Sequence, residues 1–140
     1  MLDQLGTRRW VVPGSHPTVR LHAGAPDDDG LTTLLLLNVA MPRHPIATEI
    51  VSVQLAGLKG RRPRAALLSR IDETHANPQA EWLRLGSPEY LHAHQVDALE
   101  LASTVTPERI EIQADGDGAR FTLPLPANAM ALVRIEWEAA

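Results

Sequence analysis

Apolar and polar positions alternate with a period of two along most of the chain. Thr18-Val19-Arg20-Leu21-His22 alternates, and between Thr48 and Leu58 the apolar Val51, Val53 and Leu55 share one face while Ser52, Gln54 and Ala56 share the other. Leu31 to Ala40 is instead an almost unbroken apolar run of strand length, the pattern of a strand covered on both faces. Arg64 to Ile71 predicts a further strand. Between these segments stand turn formers: Asp27-Asp28-Asp29-Gly30, the group Pro42, His44 and Pro45, and the stretch Gly57 to Pro63.

The period changes after Ile71. Asn77 is a good N-cap, Pro78 fits the first helical position where its missing N–H is not needed, and Ala80, Trp82, Leu83 and Leu85 follow before Gly86 closes the helix. A second helix is predicted from about Ala93 to Ser103, with Val96, Leu99 and Ala102 on one side. Strands then return. Ile110 and Ile112 alternate with Glu111 and Gln113 up to the turn Asp115-Gly116-Asp117-Gly118. Phe121, Leu123 and Leu125 share a face until Pro124 and Pro126 interrupt, and Ala131, Val133, Ile135 and Trp137 alternate with Leu132, Arg134, Glu136 and Glu138.

Six to eight strands with turn signals and one helical insert, about residues 78–103, predict a mainly β fold, an antiparallel β-sandwich over residues 10–140. Residues 1–9 read as the end of a helix or a linker. Met1, Leu2 and Leu5 share a face, Gly6 closes it, and no beginning of that helix is visible, so the expectation is a chain cut from something larger.

Composition narrows the function classes. The 140 residues are 44% apolar and 21% charged, a balance that suits one globular domain able to bury a core without staples. There is no cysteine to form a disulfide. The net charge of −4 argues against nucleic acid as a partner, because duplex binding needs clustered cations. The one basic group, Lys59, Arg61, Arg62 and Arg64, has no interleaved aromatics and reads as a solvated turn. No segment approaches the roughly 20 apolar residues that span a bilayer, and no signal peptide is visible, so no membrane partner and a cytoplasmic location are the defaults.

Candidate chemistry is sparse. Asp72 and Glu73, beside Glu81, are the carboxylates away from turns, but neighbours on a strand point to opposite faces and cannot address one substrate atom. Asp72 is better read as a structural contact, with Arg70 two residues away as a partner. Of the six histidines, His16, His22, His44, His75, His92 and His94, the last two alone are close in sequence, and on a helix they diverge by about 200°. No metal site and no cofactor are predicted. The two aspartate-rich turns lack the framework of a calcium loop. Nucleophile elbow, phosphate-loop and dinucleotide fingerprints are absent. Trp82 and Trp137 occupy apolar-periodic positions and predict core, whereas Trp10 and Tyr90 are left as candidate sugar-stacking platforms.

One stretch is specific. Arg70-Ile71-Asp72-Glu73-Thr74-His75-Ala76-Asn77-Pro78, followed by Trp82 and Leu85-Gly86-Ser87-Pro88-Glu89-Tyr90, resembles the C-terminal part of glycoside hydrolase family 39, the β-xylosidases and α-L-iduronidases. The likeness extends to Leu5-Gly6-Thr7-Arg8-Arg9, similar to the exit from the last helix of that family's (β/α)8 barrel. It takes in Asp28-Asp29-Gly30-Leu31 and Leu34 to Asn38, and closes with Phe121 to Pro126 and Ala131-Leu132-Val133. The sequence departs from the family at Leu37-Asn38-Val39, where relatives tend to read Trp-Asn-Tyr, and at Leu91-His92, where they have Pro-Thr. There His92 with Gln95 replaces a Thr capping box at a cost of about 1 kcal/mol.

The resemblance implies an accessory β-sandwich that packs on a barrel catalytic domain, on the same or a separate chain. The family's catalytic glutamates, one within Asn-Glu-Pro, have no counterpart in this sequence, so no catalytic residue is assigned. It further implies that Arg70, Asp72, His75, Asn77, Trp82 and Gly86 organise a loop and a helix. The alternatives are an oligosaccharide-binding module using Trp10 or Tyr90, and a homo-oligomer that covers its own apolar face.

Overall fold

The unbroken apolar run and the last alternating segment end up side by side. The computed structural model describes residues 9–10, 12, 14, 16–24 and 30–138. Its early strands are β1 (Arg9–Trp10), β2 (Val19–Gly24), β3 (Leu31–Asn38), β4 (Glu49–Leu55) and β5 (Arg62–Ile71). Helices α1 (Pro78–Arg84) and α2 (Ala93–Ala102) follow, then β6 (Glu108–Arg109), β7 (Gln113–Asp115), β8 (Gly118–Leu125) and β9 (Ala129–Glu138). The strands pair antiparallel in two sheets, one of order β1-β2-β3-β9-β5-β6 and one of order β4-β8-β7. The helix expected around Met1 to Gly6 and the turn at Asp27 to Asp29 lie outside the described residues.

Register explains the pattern of β3. Leu34 and Leu36 face Val133 and Ala131 across the ladder, and they join Val53, Leu55, Phe121, Leu123 and Leu125 in the core between the sheets. Leu35 and Leu132 pair on the opposite face and are also shut off from solvent, at 3% and 1% exposure. A central strand covered on both faces has no polar face to alternate with. Trp137 closes the core at one end, its indole N–H donating to Thr32 Oγ1 at 2.8 Å. At the other end buried Asn38 donates through Nδ2 to the carbonyls of Ala47, Leu125 and Pro126 at 2.8, 2.9 and 3.1 Å, tying β3 to the end of β8.

Three segments differ from the sequence reading. Pro124 does not end its strand: β7 pairs with β8 only as far as Arg120, so further along one edge of β8 is open and a missing N–H breaks no ladder there. Pro63 is accommodated in the same way, within β5 where β6 does not reach and beside a register shift between Pro63 and Ala65. Ile110 and Ile112 belong to no strand. The chain crosses there from the large sheet to the small one, and both side chains pack against the core, so an extended crossover reproduces a strand's period.

The β7–β8 hairpin turns on Gly116, at φ 59°, and on Gly118, where a Cβ would run into the backbone carbonyl of Leu55. Asp117 belongs to this turn: its carboxylate accepts from the Gly60 N–H at 3.1 Å and its carbonyl from the Leu58 N–H at 3.0 Å. The exposed basic group around Lys59 is thereby held in a defined turn.

Candidate functional site at the base of the helical insert

The helical insert leaves the large sheet at the end of β5 and returns to it at β6, so its two ends meet at one place. Its first half is built by capping. Asn77 Oδ1 accepts from the Gln79 N–H at 3.0 Å while Asn77 Nδ2 donates to the Glu73 carbonyl at 3.0 Å. At the far end Gly86, at φ 86°, donates to Leu83 O, and Ser87 donates to Trp82 O, each at 3.0 Å. This pair of bonds is the Schellman closure that a glycine past the last turn makes possible. For α2, Gln95 Oε1 accepts from the His92 N–H at 2.9 Å, so the reach-back of a capping box forms without a Thr.

At the base, one carboxylate oxygen organises the turn. Asp72 Oδ1 accepts from the Thr74 N–H at 2.9 Å, Thr74 Oγ1 at 3.1 Å, the His75 N–H at 2.9 Å and His75 Nδ1 at 2.7 Å. The Asp72 N–H in turn donates to the His75 carbonyl at 3.0 Å. The carboxyl is 2% exposed and the imidazole 40%. Burial alone pushes an acid's pKa up; here the hydrogen bonds from His75 and Thr74 and the charge of His75 outweigh it, and the Asp72 carboxyl sits below its ordinary value. Ala76 follows at φ 51°, a left-handed conformation sustained by the bonds on either side of it.

Arg70 does not pair with Asp72 as the sequence suggested. Its guanidinium binds Glu108 at the start of β6, joining the two ends of the insert. A two-residue offset on a strand places side chains on one face, but Asp72 lies past the end of β5, where its carboxylate is consumed by its own turn. Glu73, expected on the opposite face from Asp72, is exposed. Arg70, Thr74, His75 and Ala76 from one side and Thr104, Thr106 and Glu108 from the other line a cleft of about 310 Å³. Sequence reasoning missed Thr74, Glu108 and the cleft's other side, because Glu108 is 38 positions from Arg70 and only the β5–β6 pairing brings them together.

The structure brings Arg70, Asp72, His75 and Asn77 to this base. Trp82 and Gly86 lie further out in the insert. Trp82 is not in the sandwich core; it is half-buried, its indole N–H donating to the Pro88 carbonyl at 3.2 Å. Of the two aromatic platforms, Trp10 is 43% exposed on β1 at the edge of the large sheet and Tyr90 82% exposed between the helices. They share no element. The rings of His92 and His94 stack with centroids 5.9 Å apart. Among the described residues no three His, Asp or Glu side chains converge as a metal would require, and no helix is long and apolar enough to cross a membrane.

The structure superposes on two β-xylosidase structures from Caulobacter crescentus with TM-scores of 0.66 and 0.68, at 18% and 20% identity. The family 39 enzyme of Xanthomonas axonopodis pv. citri gives 0.65 at 16% identity. Each superposition covers 96% of this chain and 26% to 29% of the other. In sequence, a β-xylosidase of Caldicellulosiruptor saccharolyticus is 32% identical over 110 residues, 79% of this chain and 22% of that protein. The chain therefore spans less than a third of the length of these relatives. The family model for glycosyl hydrolases family 39 matches residues 16–118. That match takes in well over half of the 140 residues, and the chain belongs to glycosyl hydrolase family 39.

Proposed function

We propose that this chain is the non-catalytic β-sandwich of a family 39 glycosidase, and that it packs on and stabilises a barrel catalytic domain. The observation that carries this reading is the partial overlap: nearly the whole chain aligns with β-xylosidases, yet it accounts for only 22% of the one matched in sequence. The chemistry at the base of the insert agrees. Asp72 Oδ1 takes four hydrogen bonds from the backbone and side chains of its own turn, and Arg70 is occupied by Glu108, an arrangement that holds a loop rather than attacks a glycosidic bond.

The test is mixing and turnover. The chain alone leaves an aryl β-xyloside intact. Added to the Caldicellulosiruptor saccharolyticus β-xylosidase deprived of its matching segment, it co-elutes and raises that portion's melting temperature. Hydrolysis by the chain alone, or separate elution with no thermal shift, would overturn the reading. A second reading, oligosaccharide binding, draws on the exposure of Trp10 and Tyr90. It requires a saturable change of intrinsic fluorescence with xylo-oligosaccharides that the Trp10→Ala or Tyr90→Ala variant abolishes.

A further inference from the structure

The insert folds back on itself and not on the sandwich. Neither α1 nor α2 has a single buried residue. The two helices pack on each other, Trp82, Leu85, Leu99 and Ala102 are half-buried, and Leu83 and Leu101 stay 57% and 77% exposed. Helices of 7 and 10 residues are too short to persist alone, so the pair is held by its caps and by the packing of one helix on the other. What remains to fix its direction is the base: the Asp72 turn on one side, and the Arg70–Glu108 pair that ties the inbound strand to the outbound one.

We infer that the helical hairpin 78–102 is an arm whose orientation is set by this polar base, with Asp72 as the positioning residue. The inbound connection is stiff from end to end. Asp72 locks residues 74 and 75, Ala76 holds its left-handed φ, and Asn77 both caps α1 and bonds back to the Glu73 carbonyl. On the outbound side Ser103 Oγ and Thr104 Oγ1 bond only to Glu100 O, within the last turn of α2, and the next fixed point is Glu108 on Arg70. Of the two connections, the Asp72 turn is therefore the strut and the outbound chain the tether. Removal of the carboxylate frees the arm to swing while both the hairpin and the sandwich keep their internal structure.

The absence of cysteine makes the test clean, since spin labels go only where cysteines are introduced. Labels at Gln54→Cys on β4 and Leu101→Cys on α2 report the arm against the sandwich by pulsed electron–electron resonance. Labels at Leu83→Cys and Leu101→Cys report the hairpin, and at Gln54→Cys and Glu136→Cys the sandwich. In the parent chain all three distance distributions are narrow. Asp72→Ala broadens the arm-to-sandwich distribution about twofold and leaves the two controls unchanged, as expected when a local unit detaches without global unfolding. His75→Ala and Glu108→Gln, which keep the backbone turn, broaden it less and serve if Asp72→Ala does not fold. An arm-to-sandwich distribution that is broad in the parent chain, unmoved in every variant, or broadened only together with the sandwich control overturns the inference.

Discussion

The sandwich and the helical insert are built from the same composition by opposite means. In the sandwich, apolar side chains from two sheets interlock: Leu36, Ala131, Val133 and Ile135 have no exposure at all, and the buried polar groups among them are few. In the insert no helical residue is buried, and order comes from caps, a Schellman closure and one carboxylate that gathers a turn. The difference teaches that one chain can hold shape by packing in one region and by directed hydrogen bonds in another. The two regions should then fail under different insults.

Truncation separates them most sharply. Leu36→Ala opens a cavity in a sealed core and costs about 2 to 5 kcal/mol, visible as a large drop in denaturant midpoint, whereas Leu101→Ala on the arm changes the midpoint by less than about 0.5 kcal/mol. Comparable losses would mean that the insert is packed after all. Next in size is Asn38→Ala, which removes a shared donor from three carbonyls at the end of β3 and costs about 2 kcal/mol in the same measurement. That outcome would sharpen the comparison by showing directed bonds at work inside the sandwich as well.

The smallest effect is that of acid on the insert. The folded-state pKa of Asp72 lies below its unfolded value, so its contribution is present in full above the unfolded pKa and is lost as pH falls through the folded one. Hydrogen exchange of the Thr74 and His75 amides should accelerate, relative to β3 and β9 amides, as pH falls below the ordinary carboxylate range. In Asp72→Asn that additional acid dependence disappears. Equal acid sensitivity in variant and parent would assign the effect to another group.

Much of this division was legible in the residues. The unbroken run at Leu31 to Ala40 and the alternation from Ala131 onward located the two central strands, and Asn77-Pro78 with Gly86 marked α1 at both ends, because periodicity and capping are local properties. Strand order was not legible: nothing near Leu34 states that its neighbour is Val133. For the same reason the site was half visible. Asp72, His75 and Asn77 lie within six positions and could be grouped by eye, but Glu108 reaches Arg70 only through a pairing formed after the whole insert has been traversed. Trp82 misled because an apolar face predicts burial without saying against what, and here the ring is only half-buried, its indole N–H bonded within the insert.

The place of β9 in the large sheet has a kinetic consequence. It is the last of the described strands and yet sits between β3 and β5, pairing along eight positions of the first and most of the second. While a ribosome is still making residues 129–138, the edges of β3 and β5 that β9 will join have no strand to pair with. Closure across so many intervening residues predicts slow folding. Nascent chains halted before Ala129 should therefore be prime clients for chaperones and proteases.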